Sequence, residues 1–133
     1  LARHLPPMRP VDGSWVPVPF LDGTVAVSST RDRPCVEYLV GSTTLHGCPV
    51  DGQRTGLVSV VDRAGTTDSN TVVLLHDASV TVTAVEGCTI ERLDVAETGL
   101  ALSGCTTAAS VTQVVLDLAH DGRVDRVVVP FDR

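Results

Sequence analysis

With 133 residues, 43% of them hydrophobic and 20% charged, the chain can build one hydrophobic core and lies far from the composition of disordered segments. Its formal net charge is -6, lysine is absent, and the 10 basic residues are scattered arginines, so a phosphate backbone meets no basic stripe and nucleic acid is excluded as a partner. No apolar run approaches the roughly 20 residues needed to cross a bilayer, which excludes membrane insertion of this segment as a helix.

The chain begins at Leu1 rather than Met, so a signal peptide or membrane anchor is expected upstream, through which the domain would be tethered. Pro6, Pro7, Pro10, Pro17 and Pro19 deny the opening stretch both helix and ladder donors. Residues 1–14 therefore read as an extended Pro-rich arm or linker, and 15–133 as a single domain that opens on an edge strand over 15–21. Only Trp15, Phe20, Tyr38 and Phe131 are aromatic, so valine, stiff and strand-favouring, must fill the interior. Further strands are expected over 24–29, 35–40, 43–48, 57–61, 71–76, 79–85, 88–95, 100–104, 111–119 and 123–129. In 79–85, period-two alternation places Val80, Val82 and Ala84 on one inward face.

Turn chemistry fixes registers. Asp-Gly pairs at 12–13, 22–23, 51–52 and 121–122 are hairpin signals, at least two of which should be true hairpins. A two-residue turn at Asp121-Gly122 pairs Leu116 with Val127, Val114 with Val129, and Asp117 with oppositely charged Arg126. A type II′ turn at Gly41-Ser42 sets Cys35 opposite Cys48 at a non-hydrogen-bonded site and Glu37 opposite His46 on the same face. For Cys88 and Cys105, a turn at Glu97-Thr98-Gly99 leaves the two out of opposition, an offset that a β-bulge would repair. Four cysteines in a compact chain without metal-type spacing fit two local disulfides, Cys35–Cys48 and Cys88–Cys105, and hence an oxidising compartment.

Catalytic signatures are scarce. The chain holds no Gly-x-Ser-x-Gly, no P-loop, no Gly-x-Gly-x-x-Gly and no Cys-x-x-Cys pattern, so neither metal nor cofactor is expected. The weak site candidates are His46 with Glu37, His76 with Asp77, and His120 with Asp121, each pairing an imidazole with a carboxylate. Trp15, Phe20 and Tyr38 belong to the core or line a small pocket, and a valine-rich sheet edge would suit strand addition by a partner.

The closing run Asp-Gly-Arg-Val-Asp-Arg-Val-Val-Val, residues 121–129, is similar to the final hairpin of cystatin-like α+β proteins of the NTF2-like class. That resemblance covers these residues alone and implies long N-terminal helices beneath a curled sheet. Gly-Cys at 47–48, 87–88 and 104–105 suggests a parallel β-helix, although at unequal intervals. The reading that best unites the signals is an all-β antiparallel sandwich of about 7–10 strands in two sheets. The function expected with it is that of a non-catalytic exported or cell-envelope domain, a binding or sensory ectodomain for a protein or small-molecule ligand. The alternatives are a secreted protease inhibitor presenting loop 62–70 and a small hydrolase using a His/Asp site.

Overall fold

A computed structural model describes residues 3–30, 33–48, 58–63 and 69–131. Among these the chain is all-β, with strands β1 (Arg3–His4), β2 (Val18–Phe20), β3 (Gly23–Thr30), β4 (Arg33–Val40), β5 (Thr43–Gly47) and β6 (Val58–Arg63). They continue as β7 (Ser69–Asp77), β8 (Thr81–Glu86), β9 (Glu91–Val95), β10 (Leu100–Ala108), β11 (Gln113–His120) and β12 (Arg123–Pro130). The described residues contain no helix, which removes the α+β alternative: the opening segments that would have to be helical are strands and extended backbone. Pairing is antiparallel except between β1 and β9, against the parallel β-helix.

The strands form three sheets rather than the expected two, in the orders β1-β9-β10-β7-β6, β12-β11-β8 and β2-β3-β4-β5. The physical reason lies in β7, which is buried from Asn70 to His76 without alternation. A strand with both faces apolar belongs in the middle of a layered structure. Val73 and Leu75 face one core, with Leu93, Leu102, Phe20, Val25, Val36 and Tyr38. Val72 and Leu74 face a second, with Val82, Val114, Leu116, Val129 and Phe131. The five-stranded sheet is thus covered on one face by the four-stranded sheet and on the other by the three-stranded one. Val80, Val82 and Ala84 point into the second core, as the alternation predicts.

Both derived registers hold. Val114, Leu116 and Asp117 pair with Val129, Val127 and Arg126. Asp121 and Gly122 both have positive φ, 49° and 75°, as a type I′ turn requires. Glu37 pairs with His46, and Gly41 alone of its turn has positive φ, 59°, consistent with type II′. The turn at Asp12-Gly13 closes a small hairpin through Val11 and Ser14. The pair at 51–52 lies outside the described residues.

At 22–23 the turn sits one residue earlier, on Leu21-Asp22, and Gly23 is already in the sheet opposite Phe20. Gly23 serves close approach instead: a Cβ there would lie 2.5 Å from the Tyr38 ring, which crosses it so that the Tyr38 hydroxyl donates to the Phe20 carbonyl at 2.8 Å. Leu21 consequently takes φ 51°, a left-handed conformation uncommon for a bulky residue.

The opening arm is extended and docked. The amides of Arg3, Leu5 and Met8 donate to the carbonyls of Ile90, Arg92 and Asp94, and Met8 is buried in the first core. Replacing Leu75 with Ala, or Leu116 with Ala, should each cost about 2–5 kcal/mol in chemical denaturation, because each opens a cavity in a separate close-packed core. Val124→Thr, on the exposed outer face of β12, should stay within about 0.5 kcal/mol of the parent.

Candidate functional site

Where the Leu21-Asp22 turn meets the central sheet, an open depression of about 470 Å³ is lined by Arg3, Leu21, Asp22, Thr89, Glu91 and Thr106. Each lining group has a local cause. β1 runs parallel to β9, which sets Arg3 beside Glu91 with Nη1 and Oε1 3.5 Å apart. Asp22 is held from below, where the Thr71 hydroxyl donates to its Oδ2 at 2.6 Å. Leu21 lies over Gly104, where any Cβ would collide with its Cδ1 and with the Val72 carbonyl. The Cys88–Cys105 bridge lies behind the wall: Thr89 follows Cys88, and Thr106 follows Cys105, whose side chain faces the second core. One guanidinium, two carboxylates and two hydroxyls around an apolar side chain suit a small polar ligand or the polar edge of a peptide.

The pairing of Cys88 with Cys105 follows expectation, but no bulge makes it possible. β9 and β10 pair without a register shift, and Cys88 lies on the connection ahead of β9, free to lean across to β10 with a Cα separation of 6.1 Å. The irregularity falls elsewhere, between β11 and β8 at Val115 and Leu116.

On the outer face of the four-stranded sheet, Cys35 and Cys48 are bridged with a Cα separation of 4.3 Å, the short spacing of a non-hydrogen-bonded pair. His46 stands on the same face, its Nε2 3.7 Å from Cys48 Sγ and 4.0 Å from Glu37 Oε1. The ligand-capable atoms of Cys35, His46 and Cys48 lie within 4.8 Å of one another. The Gly41-Ser42 hairpin register places these residues on one face, as the sequence predicts; it is their nearness as ligand-capable atoms that no Cys-x-x-Cys spacing marks, because facing strands rather than a short loop assemble them.

His76 occupies a different environment. It is wholly buried on β7, its Nδ1–H donating to the Asp77 carbonyl at 2.7 Å while Nε2 accepts from the Ser103 hydroxyl at 2.8 Å. Burial lowers the imidazole pKa below its ordinary 6.5 despite the Asp77 carbonyl bond that opposes it. The Asp77 carboxylate turns instead to the Ser79 amide, 2.9 Å away, as an Asx turn. Ser103, which no sequence motif marked, is equally buried, so the serine–imidazole contact is sealed from solvent. His120 Nδ1 lies 3.3 Å from Asp121 Oδ2 at the tip of the last hairpin, on another sheet from His76. The histidine candidates therefore do not converge on one cleft.

Beside His76, Arg92 donates to the Val80 and Ala78 carbonyls, both at 2.7 Å, and to Asp94 at 3.0 Å, while His4 reaches Asp94 at 2.6 Å. Burial pushes the Asp94 carboxyl upward, but the bonds from His4 and Arg92 outweigh it and hold the group below the usual carboxylate value. Of the aromatics, Phe20 and Tyr38 are core, edge to face at 6.1 Å, and Trp15 packs partly buried against the same core. Val85, Val124 and Val128 remain exposed on the three-stranded sheet, whose outer strands are β12 and β8.

Comparison of the chain with protein-family models, curated proteins and solved structures gave no match.

Because the folded His76 resists protonation, the unfolded chain binds more protons once the pH falls below 6.5, and stability should decline from there toward the lowered native pKa. Denaturation midpoints measured from about pH 8 down to pH 5 should show this acid-side loss, and His76→Gln should flatten that part of the profile. An unchanged slope in the variant would assign the acid sensitivity to other groups.

Proposed function

We propose that the chain is a non-catalytic exported domain, a binding or sensory ectodomain of the cell envelope, that takes a polar ligand in the depression beside the Leu21-Asp22 turn. The observation that carries this reading is the way the Cys88–Cys105 bridge backs the wall bearing Thr89 and Thr106, so that an oxidised cystine and the depression form one construction. Both disulfides join near neighbours in the fold and no free cysteine remains, which supports an oxidising destination. Leu21 supports it too. A left-handed leucine costs of order 1–3 kcal/mol, and backbone strain of this kind collects where a surface is shaped for a partner. The loop at 62–70 considered for protease inhibition falls largely outside the described residues.

Two measurements test the reading. Alkylation followed by intact mass should add four labels only after reduction; four labels on the untreated chain would contradict export. Titration of the isotopically labelled chain with amino acids, dipeptides and monosaccharides should shift the amides of Leu21, Asp22, Thr89, Glu91 and Thr106, with Asp22→Asn weakening the response. Shifts confined to another surface, or none with any probe, would contradict a ligand site in the depression.

A further inference from the structure

The two bridges stand in different surroundings. Cys105 is buried in the second core, whereas Cys35, itself covered, and half-buried Cys48 sit on the outward face of an edge hairpin beside exposed His46. On that face Glu37 and His46 form the next cross-strand pair after the cystine, two rungs along with Val36 and Gly47 between, so two sulfurs, an imidazole and a carboxylate share one face of the ladder. We propose that Cys35, Cys48 and His46, with Glu37 in the fourth position, form a zinc site that opens when the Cys35–Cys48 disulfide is reduced.

Donor chemistry and reach both favour it. Two thiolates, an imidazole nitrogen and a carboxylate oxygen make a tetrahedral zinc set, with Zn–S near 2.3 Å and Zn–N near 2.0–2.1 Å. Two sulfurs on one zinc stand about 3.8 Å apart in that geometry, which facing residues with Cα atoms 4.3 Å apart reach by rotating about Cα–Cβ. His46 Nε2 already lies 3.7 Å from Cys48 Sγ, so the hairpin holds the third donor in place before any metal arrives. The flanking residues on β3 are the small Ser28 and Ala26, opposite Cys35 and Glu37, and within the donor group Cys35 is the most covered while His46 is exposed, so a metal would enter from the His46 side.

The chemistry balances with a dithiol as reductant. Its two thiols transfer two electrons and two protons to the cystine, the S–S bond of Cys35–Cys48 breaks, and the reductant closes into its own disulfide. Zinc then displaces one proton from each cysteine to solvent, and neutral His46 donates its Nε2 lone pair. Reduction thus exchanges a covalent staple for a metal staple across the same pair of strands. This site is independent of the depression and stands or falls separately from it.

The chain is reduced with a phosphine, which brings no competing thiolate, until alkylation maps to Cys35 and Cys48 alone, and is then titrated with Co²⁺ followed by Zn²⁺. Thiolate-to-cobalt absorption and far-ultraviolet circular dichroism are read together. The expected result is one tetrahedral Co²⁺ per reduced chain, displaced by Zn²⁺, with the β-sheet signal retained, and no metal on the oxidised chain. His46→Ala should weaken binding by at least about 100-fold and Glu37→Gln by about 10-fold. The proposal is overturned by a reduced chain that gives no charge-transfer band, folded or unfolded. Parental affinity in His46→Ala, or a band that persists in Cys35→Ser/Cys48→Ser, overturns it equally.

Discussion

The constraint on which the rest depends is the double-sided burial of the central strands. β7 and β10 present apolar or small residues to both sides, so the sheet they form is stable only when two further sheets cover it. Small residues make the middle thin enough for that. Ala101, Ser103 and Gly104 lie in β10 with no exposed surface or nearly none, and at Gly104 even a methyl group would strike the neighbouring Val72 carbonyl. The buried imidazole of His76 in this layer is tolerated because both of its nitrogens are hydrogen-bonded and burial favours its neutral form.

From this layer the outer features take their places. Tyr38 crosses Gly23 to reach the Phe20 carbonyl, which locks β2 to β4 through β3 and leaves the Leu21-Asp22 turn projecting over β10. That projection brings Asp22 to Thr71 and Leu21 to Gly104, shaping the depression from the meeting of two sheets. On the opposite face, Arg92 ties the turn at Ala78–Val80 to β9 through two carbonyls and also binds Asp94, to which His4 anchors the opening arm. The arm thus contributes Arg3 to the depression and Met8 to the core.

Local geometry was legible in the sequence wherever a turn dictated it. Gly41 and the Asp121-Gly122 pair need conformations that few residues supply, and once placed they fix every opposing residue in their hairpins, Cys35 with Cys48 and Asp117 with Arg126 included. The third sheet escaped notice because a continuous run such as Thr71-Val72-Val73-Leu74-Leu75 has no period to read, although its lack of alternation marks a strand covered on both sides. The Asp22-Gly23 signal was displaced by one residue because the glycine answered to Tyr38, 15 positions away and invisible to a turn rule. The depression was illegible for a similar reason: Arg3, Asp22, Thr89 and Thr106 come together only through the parallel β1–β9 pairing and the stacking of separate sheets.

Native-state hydrogen exchange tests the layered frame most directly. If the twice-covered sheet is the foundation, the amides of β7 and β10 exchange slowest and only through global unfolding, while β5, β8 and β12, at sheet edges, open at lower free energy. Slowest exchange in β11 and β12, with β7 released by local opening, would contradict a structure built outward from its middle layer.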